Sequence, residues 1–192
     1  MRIISGSARG TRLASFDGNQ IRPTSDRVRE ALFSMLLSRL GTFSNRRVLD
    51  LYAGSGALSL EALSRGATHS TLIDQGSQSA ALIEKNAGAC RLKDKIRLIN
   101  GQVLDKLALT QSSAPFDLIF LDPPYDKGLL TPTLEMISDL CLLDEDGIVC
   151  VEASTKESIP ERIGQLQTDV QRRYGATQVF LLTRCQCEEP HT

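Results

Sequence analysis

A short acidic and proline-rich turn is the group in this chain best suited to do chemistry. It reads Asp122-Pro123-Pro124-Tyr125 and follows an apolar run that begins at Phe116. The run predicts a buried central strand, which the prolines end because neither can donate a backbone hydrogen bond. A carboxylate, unpaired carbonyls and an aromatic ring would then meet at the carboxyl end of a strand, where α/β sheets bind ligands. These groups suit a planar substrate with an amino group. The alternative is a proline turn that merely ends the strand.

A glycine-rich turn lies earlier in the chain, between a predicted strand and a predicted helix. The strand contains Asp50, and the turn is Ala53-Gly54-Ser55-Gly56. Two glycines separated by one residue permit a tight turn and a close approach of a ligand to the backbone, and the helix start supplies unpaired N–H groups. A pattern of two glycines is weak evidence by itself.

Asp74 ends the next predicted strand, 18 residues after Gly56. A carboxylate at this place can accept hydrogen bonds from two ribose hydroxyls, and the alternative is an acid that caps a helix. A dinucleotide-binding loop would have a third glycine at position 59, where this chain has Ser59. The pattern therefore favours a nucleoside cofactor without pyrophosphate and counts against a nicotinamide oxidoreductase.

A nucleoside cofactor beside an amine-binding turn indicates methyl transfer from S-adenosylmethionine (SAM), whose methyl is already activated on a sulfonium. The exocyclic amine of a nucleobase is a poor nucleophile because its lone pair is delocalised into the ring. Asp122 and the Pro123 carbonyl could each accept one N–H of that amine and turn its lone pair toward the methyl. Tyr125 could stack on the base and fix its plane.

The composition limits the class of protein. The chain has 192 residues, 41% hydrophobic and 23% charged, which is ordinary for one globular domain. No apolar run approaches the length of a membrane span, and the N-terminus does not resemble a secretory signal. The five cysteines form no CxxC pair, which favours a reduced, cytoplasmic setting and predicts no metal site.

Arginine is concentrated in the first quarter of the chain. Residues 1–47 contain nine arginines against three acids, a balance of +6, whereas the rest holds 13 basic and 20 acidic side chains, a balance of −7. Arginine binds phosphate in a bidentate manner and stacks on bases, so this asymmetry predicts a polyanionic partner at one end. A solvated surface with local charge fluctuation is the alternative. The arginines predicted to contact the partner are Arg9, Arg12, Arg22, Arg27 and Arg29.

The predicted elements would bring these groups to one edge of a sheet. Residues 1–24 predict a hairpin appendage, in which 2–5 pairs with 11–14 across a glycine-bounded turn. A helix opened near Thr24 follows, with an apolar stripe that ends near Gly41. The later predicted strands are 48–52, 70–74, 96–100, 117–122 and 148–152, and the predicted helices are 57–64, 77–90, 104–109 and one opened by Thr131.

This alternation of strands and helices is typical of a parallel, doubly wound sheet. Residues 166–174 and 177–184 predict an antiparallel hairpin at the end. We therefore predict a single Rossmann-like α/β domain over 1–192, with a catalytic core at 25–185 and a frayed tail at 186–192.

The motifs together resemble a known family. Asp50 and the two glycines, followed by Asp-Pro-Pro-Tyr, are similar to those of class I SAM-dependent amino-methyltransferases. The similarity extends to the bacterial 16S rRNA guanine-N2 methyltransferases of the RsmD type over the first two thirds of the chain. The matching stretches are Arg2–Gly6, Arg9–Leu13, Arg22–Phe33, Val48–Leu58 and Phe116–Tyr125.

The resemblance implies a seven-stranded, mostly parallel sheet in the order 3-2-1-4-5-7-6, with an N-terminal extension that engages RNA. It implies transfer of a methyl from SAM to N2 of one guanine in 16S rRNA, with S-adenosyl-L-homocysteine as product and no metal. The setting it implies is an assembled or assembling 30S subunit, and we expect a monomer. The residues implied to bind the cofactor are Thr24, Asp50, Ala53, Gly54, Ser55, Gly56, Asp74, Gln75 and Gln102, and those implied to hold the base are Asp122, Pro123, Pro124 and Tyr125.

Two positions depart from the pattern of the family. Gln102 stands where members usually have an acid near the adenine amino group, although its carbonyl oxygen can still accept from that group. Gln75 follows Asp74 where another acid is frequent. Both departures bear on cofactor affinity rather than on the reaction.

Two other functions are compatible with these motifs. A DNA adenine or cytosine amino-methyltransferase would carry the same Asp-Pro-Pro-Tyr, but it normally needs a target-recognition insert for which this chain has no room. A non-catalytic RNA-binding assembly factor could keep the fold, although the intact turn speaks against it. Activity on naked duplex DNA would favour the first function, and loss of SAM binding would favour the second.

Overall fold

Strands and helices alternate through most of the chain in a computed structural model that describes residues 1–16 and 26–185. In chain order the elements are α1 (Asp26–Leu40), β1 (Arg47–Leu51), α2 (Ala57–Ser64), β2 (His69–Asp74), α3 (Ser77–Cys90), β3 (Ile96–Asn100), α4 (Val103–Lys106), β4 (Phe116–Leu121), α5 (Leu130–Asp139), β5 (Leu143–Ser154), β6 (Arg162–Ile163), β7 (Leu166–Tyr174) and β8 (Thr177–Arg184). Among these described helices, none is long and apolar enough to cross a membrane.

Within the described ranges the strands form one sheet in the order β3-β2-β1-β4-β5-β8-β7-β6. The first five pair in parallel, and β8 pairs antiparallel with β5 and β7. The predicted Rossmann-like α/β class is thus confirmed. The predicted count of seven strands is too low by one, because β6 adds two residues at the edge beside β7. A strand of two residues is too short to show an alternating pattern in the sequence. When β6 is left out, the order of the other seven strands is the predicted one.

The central strand β4 is buried on both faces, as its unbroken apolar sequence requires. Leu118 and Phe120 belong to the hydrophobic cluster that includes α1, and Ile119 and Leu121 belong to the cluster that includes α5. The strand that leads to the Asp-Pro-Pro-Tyr turn is therefore held between two packed layers, and its end is fixed in place.

Helix α1 packs on the sheet through a face that differs in part from the predicted stripe. The stripe was predicted at Val28, Ala31, Leu32, Met35 and Leu36, whereas the buried positions are Arg29, Leu32, Phe33, Leu36 and Leu40. The ring of Phe33 determines this rotation, because it packs between Phe43 and Phe120 with centroid distances of 5.5 and 5.8 Å.

The first residues form an arm that pairs with itself and lies on α2. The predicted pairing of 2–5 with 11–14 is found as a single antiparallel bridge between Arg2 and Arg12. Buried Glu61 of α2 accepts hydrogen bonds from the N–H groups of Ile4 and Ser5, at 2.7 and 3.0 Å. The arm, residues 1–16, is thus fixed to the helix that follows the glycine-rich turn. The predicted helix opening at 22–25 and the predicted tail at 186–192 lie outside the described residues.

Candidate active site

The predicted site residues meet at one edge of the sheet because three strands end at the same level. Leu51 of β1 pairs with Ile73 of β2 on one side and with Leu121 of β4 on the other. Neighbouring strands lie about 4.8 Å apart, so the ends of β2 and β4 are about 10 Å apart. The glycine-rich turn after β1, Asp74 at the end of β2 and Asp122 after β4 are therefore neighbours.

The turn after β1 has the left-handed backbone that its glycines permit. Gly54 and Gly56 have φ angles of 55° and 74°. A Cβ on Gly56 would meet Ile83 of α3 at 3.3 Å, so this glycine permits close packing of the helix. A Cβ on Gly54 would come no closer than 3.9 Å to the neighbouring atoms among the described residues, the ring of Phe16 included. Gly54 therefore presents its backbone at this edge beside the Phe16 ring, where a methyl group would make ordinary van der Waals contact.

Asp74 connects this turn to the end of β2. Its carboxylate accepts hydrogen bonds from the N–H of Gly54 and the N–H of Gly76, both at 2.8 Å. The second bond goes to the residue that precedes α3, and no side chain caps this helix, so the alternative interpretation of Asp74 as a helix-capping acid is wrong. A carboxylate has about four acceptor positions, so Asp74 can still bind ribose hydroxyls while it holds both loops.

Asp50 stabilises the first turn of α2, the helix that follows the glycine-rich turn. Its side chain is 2% exposed and accepts hydrogen bonds from the backbone N–H and the hydroxyl of Ser59, at 3.2 and 2.7 Å. Burial raises the pKa of its carboxyl group to about 7, against the lowering effect of the Ser59 bonds. The resemblance implied that Asp50 lines the cofactor site, but its burial leaves little surface for a ligand. Here it holds the first turn of α2 instead.

The remaining predicted cofactor residues lie around this edge. Ala53 and Ser55 are partly exposed in the turn, and Gln75 and Gln102 are exposed after β2 and β3. The N–H of Gly101 donates to the backbone carbonyl of Asp74 at 3.0 Å, which brings the loop containing Gln102 to the same edge. Contacts of these residues with a cofactor stay a prediction.

The Asp-Pro-Pro-Tyr turn presents its groups at the end of β4. Asp122 is partly exposed, Pro123 is buried, and Pro124 is exposed. Tyr125 is 38% exposed, and its hydroxyl lies 3.2 Å from the Thr177 hydroxyl. Burial raises the pKa of Tyr125 to about 12. The ring is thus anchored at its hydroxyl end and remains available for stacking.

A further carboxylate lies at this edge, and sequence reasoning did not identify it as a site residue. Glu152 is 8% exposed near the end of β5, which pairs with β4, and the Tyr125 hydroxyl donates to its Oε1 at 3.4 Å. The pKa of Asp122 is raised well above its ordinary value, first by burial and then by the negative charges of Glu152 and Asp50. The signal was available, because Glu152 ends a predicted strand as Asp122 does. Among the described residues, no group of three or more acids, histidines or cysteines is placed to hold a metal ion.

A buried asparagine connects the arm to the turn, and no sequence pattern indicated its role. Asn86 of α3 is 1% exposed. Its side-chain amide accepts a hydrogen bond from the N–H of Ala14 and donates one to the carbonyl of Ala14. It also donates to the carbonyl of Ser55 at 3.0 Å. The position of the arm and the shape of the turn therefore depend on the same side chain.

The predicted RNA-binding arginines divide into two groups. Arg9, Arg12 and Arg27 are exposed, and Arg9 and Arg27 line a cavity of about 350 Å³. Arg29 is 1% exposed and donates to the carbonyl of Arg2 and to the carboxylate of Asp26, and its burial lowers its pKa. Its prediction as an RNA contact is corrected, because a guanidinium inside the protein cannot reach a phosphate. The remaining predicted positions, Arg22 and Thr24, lie outside the described residues.

Comparison with known proteins identifies the family. A family model described as "Conserved hypothetical protein 95" matches residues 1–183. The ribosomal RNA small subunit methyltransferase D of Escherichia coli K12 is 36% identical over 160 residues, which cover 83% of this chain and 78% of that protein. The solved structure of yhhF from Escherichia coli matches with a TM-score of 0.83 at 34% identity, covering 96% of this chain and 97% of the other.

A more distant solved structure shares the fold. SMU.776, which was solved in complex with SAH, has a TM-score of 0.63 at 18% identity and covers 84% of this chain and 50% of its own. At that identity the match concerns the fold alone. The family match and the 36% identity carry the assignment: the chain belongs to the family of the ribosomal RNA small subunit methyltransferase D proteins, the RsmD family.

Proposed function

We propose that this protein transfers the methyl group of SAM to the exocyclic N2 amine of one guanine in 16S rRNA and releases S-adenosyl-L-homocysteine. One observation carries the proposal: the Asp-Pro-Pro-Tyr turn stands at the same sheet edge as the glycine-rich turn and Asp74, with β1 between them. The name of the 36% identical relative supports an rRNA substrate.

The cofactor would lie over the turn after β1. SAM supplies a methyl on a positively charged sulfonium, which needs no further activation. Gly54 presents its backbone at this edge of the sheet, and Asp74 has acceptor capacity left for two ribose hydroxyls. Exposed Gln102 can accept from the adenine amino group, and Gln75 lies beside it at the same edge. We propose Thr24 for the carboxylate end of the cofactor on the resemblance alone.

The Asp-Pro-Pro-Tyr turn would hold the target base. Asp122 and the Pro123 carbonyl accept the two N–H groups of the amine, so that its lone pair faces the methyl and charge that develops on nitrogen is stabilised. Nitrogen then forms its bond to the methyl carbon as the carbon–sulfur bond breaks, and the electron pair stays on sulfur. The nitrogen loses one proton afterwards. Asp122 can receive this proton, since burial and the adjacent carboxylates raise its pKa.

The arm would engage the RNA. Arg9, Arg12 and Arg27 are exposed on or next to it and can neutralise phosphates while the target base leaves its stack for the pocket. We propose that the substrate is the 16S rRNA of an assembled or assembling 30S subunit, and that the enzyme acts as a monomer in the cytoplasm.

Labelled SAM and undermethylated small subunits test the proposal. The protein should label 16S rRNA at one guanine, and nucleoside digestion should recover the label as N2-methylguanine. Free 16S rRNA and naked duplex DNA are incubated in parallel, with Asp122→Asn as the inactive control. Label on DNA and none on rRNA would assign the chain to the DNA amino-methyltransferases. SAM binding with no transfer to any substrate would favour a non-catalytic assembly factor.

A further inference from the structure

Guanine differs from the other amino-bearing bases in the ring atom next to its amine. In guanine the neighbouring N1 carries a hydrogen and is a donor. In adenine the N1 beside the 6-amine is an acceptor, and in cytosine the N3 beside the 4-amine is an acceptor. An acidic acceptor next to an amine-binding pocket would therefore attract guanine and repel adenine and cytosine.

Glu152 occupies such a place. Leu121 of β4 pairs with Val151 of β5, so Asp122 and Glu152 are the next residues on two neighbouring strands. Phe120 and Cys150, two positions earlier on each strand, are in the same hydrophobic cluster, so the two acids lie on the same face of the sheet. Their charges also interact, since Glu152 is among the groups that raise the pKa of Asp122.

The contact with Tyr125 brings Glu152 to the edge of the predicted base site. The Tyr125 hydroxyl donates to Oε1 of Glu152 at 3.4 Å, and it also contacts Thr177 at 3.2 Å. A base stacked on the Tyr125 ring, with its amine toward Asp122, would present its adjacent ring nitrogen on the same side of the pocket. Asp122 and Glu152 therefore lie side by side on neighbouring strands, about 4.8 Å apart along the backbone, so each can accept from one of the two neighbouring donors of guanine.

We propose that Glu152 determines base specificity: it accepts the N1–H of the target guanine while Asp122 holds the N2 amine. This inference rests on the proposed function and goes further, because it says which residue distinguishes guanine from the other amino bases. A purely structural Glu152 would buttress Tyr125 without regard to the identity of the base. The two roles differ in their response to a substrate that keeps the 2-amine and lacks the N1 hydrogen.

The test uses 2,6-diaminopurine, which has the 2-amine of guanine, an acceptor at N1 and an amine in place of the carbonyl at position 6, so the comparison of wild type with a Glu152 variant isolates the contribution of N1. Once the target nucleotide is mapped, 16S rRNA carrying guanine or 2,6-diaminopurine at that position is made by ligation and reconstituted into small subunits. The wild-type kcat/KM should be about 10- to 100-fold lower on 2,6-diaminopurine, which is the range expected for the loss of a base-specific contact. In Glu152→Gln, the side-chain amide can donate to an unprotonated N1, so the two substrates should come within about threefold.

Glu135→Gln is the matched control, because Glu135 is exposed on α5 and the change removes the same charge. It should retain the wild-type discrimination, and SAM affinity should be unchanged in both variants. Equal wild-type rates on the two substrates would overturn the role of Glu152, and so would full discrimination in a folded Glu152→Gln. If that variant does not fold, Glu152→Ala takes its place, and full discrimination in the folded alanine variant would also overturn the role of Glu152. Absence of N2-methylguanine with the guanine substrate would instead overturn the proposed function, and the inference with it.

Discussion

Asn86 holds Ala14 through a pair of hydrogen bonds, in which its Oδ1 accepts from the Ala14 N–H at 2.8 Å and its Nδ2 donates to the Ala14 carbonyl at 3.1 Å. A strand neighbour would make the same two bonds, so the side chain replaces a sheet partner for the end of the arm. Because Nδ2 also donates to the Ser55 carbonyl, the arm and the cofactor turn share one anchor. An RNA contact that shifts the arm would therefore also shift the turn, because Asn86 is hydrogen-bonded to both.

Asn86→Ala should therefore weaken both folding and cofactor binding. We expect the free energy of unfolding to fall by about 2–4 kcal/mol, since three hydrogen bonds are lost and the Ala14 N–H is left unpaired in a partly buried place. SAM affinity should fall several-fold, because the Ser55 carbonyl is no longer held. Urea unfolding and titration calorimetry measure the two effects. Gln111→Ala, at an exposed position, should change neither, and a variant of Asn86 with wild-type SAM affinity would show that the turn does not depend on this anchor.

The sequence predicts those parts of the fold whose signals are local. The bounds of α2, α3, β3, β7 and β8 agree with the predicted ones, because their periodicity and their glycine or polar ends lie within a few residues. Strand β5 was predicted too short, at 148–152, while the structure has Leu143–Ser154. The polar stretch 144–147 resembles a turn, and it is an irregularity within the strand, because the pairs of Leu143 with Phe116 and of Ile148 with Leu118 lie on either side of it.

The same division applies to the site. Asp122 and the glycine-rich turn were predictable because each is a local motif at the end of a strand. Asn86 and Ala14 are 72 positions apart in the chain, so their bond has no local signature. Arg29 was predicted to contact RNA because it belongs to the arginine-rich first quarter of the chain. Its burial depends on the carbonyl of Arg2, which only the folded arm supplies.

Asp122→Ala should abolish methyl transfer and leave SAM binding largely intact. The carboxylate acts mainly on the substrate amine, and the loss of such a preorganised group typically costs about 10²–10³ in kcat. The fold should tolerate the change, since Asp122, Glu152 and Asp50 are neighbouring acids whose negative charges repel one another, and the change removes one of the three. Transfer to small subunits and calorimetry with SAM are the two measurements.

Asp126→Asn is the matched control for that substitution. Asp126 is exposed one residue after the Asp-Pro-Pro-Tyr turn, and its φ of 58° is one that asparagine tolerates. The control should keep its turnover. Near-normal turnover of Asp122→Ala would contradict the role assigned to the carboxylate.

Replacing Arg9 and Arg12 together by alanine should weaken RNA binding and reduce its salt dependence. Each phosphate contact releases counterions, so the loss of two contacts should reduce the slope of log K against log salt by about 1.4–1.8. Binding to 16S rRNA or to small subunits, measured across a range of salt concentrations, gives the slope. Arg172 and Arg173 are exposed on β7, which is next to the last strand in the order of the sheet. Their double alanine variant is the comparison. An unchanged slope in the arm variant would place the RNA surface elsewhere.

The buried carboxyl of Asp50 should make the stability of the protein depend on pH between about 4 and 7. Burial raises its pKa from the ordinary 3.8 to about 7, so the folded protein keeps the proton over a range in which the unfolded chain releases it. The stabilisation is complete below the pKa of the unfolded state and is lost as pH rises through the pKa of the folded state, with a slope of at most about 1.4 kcal/mol per pH unit.

Asp50→Asn cannot titrate, so its free energy of unfolding relative to wild type should increase as pH rises from 5 to 8. Urea unfolding at several pH values measures this difference, in which the contribution of Asp122 largely cancels because both proteins contain it. A difference that is constant across the range would mean that Asp50 is ionised in the folded protein, and that the Ser59 bonds outweigh its burial.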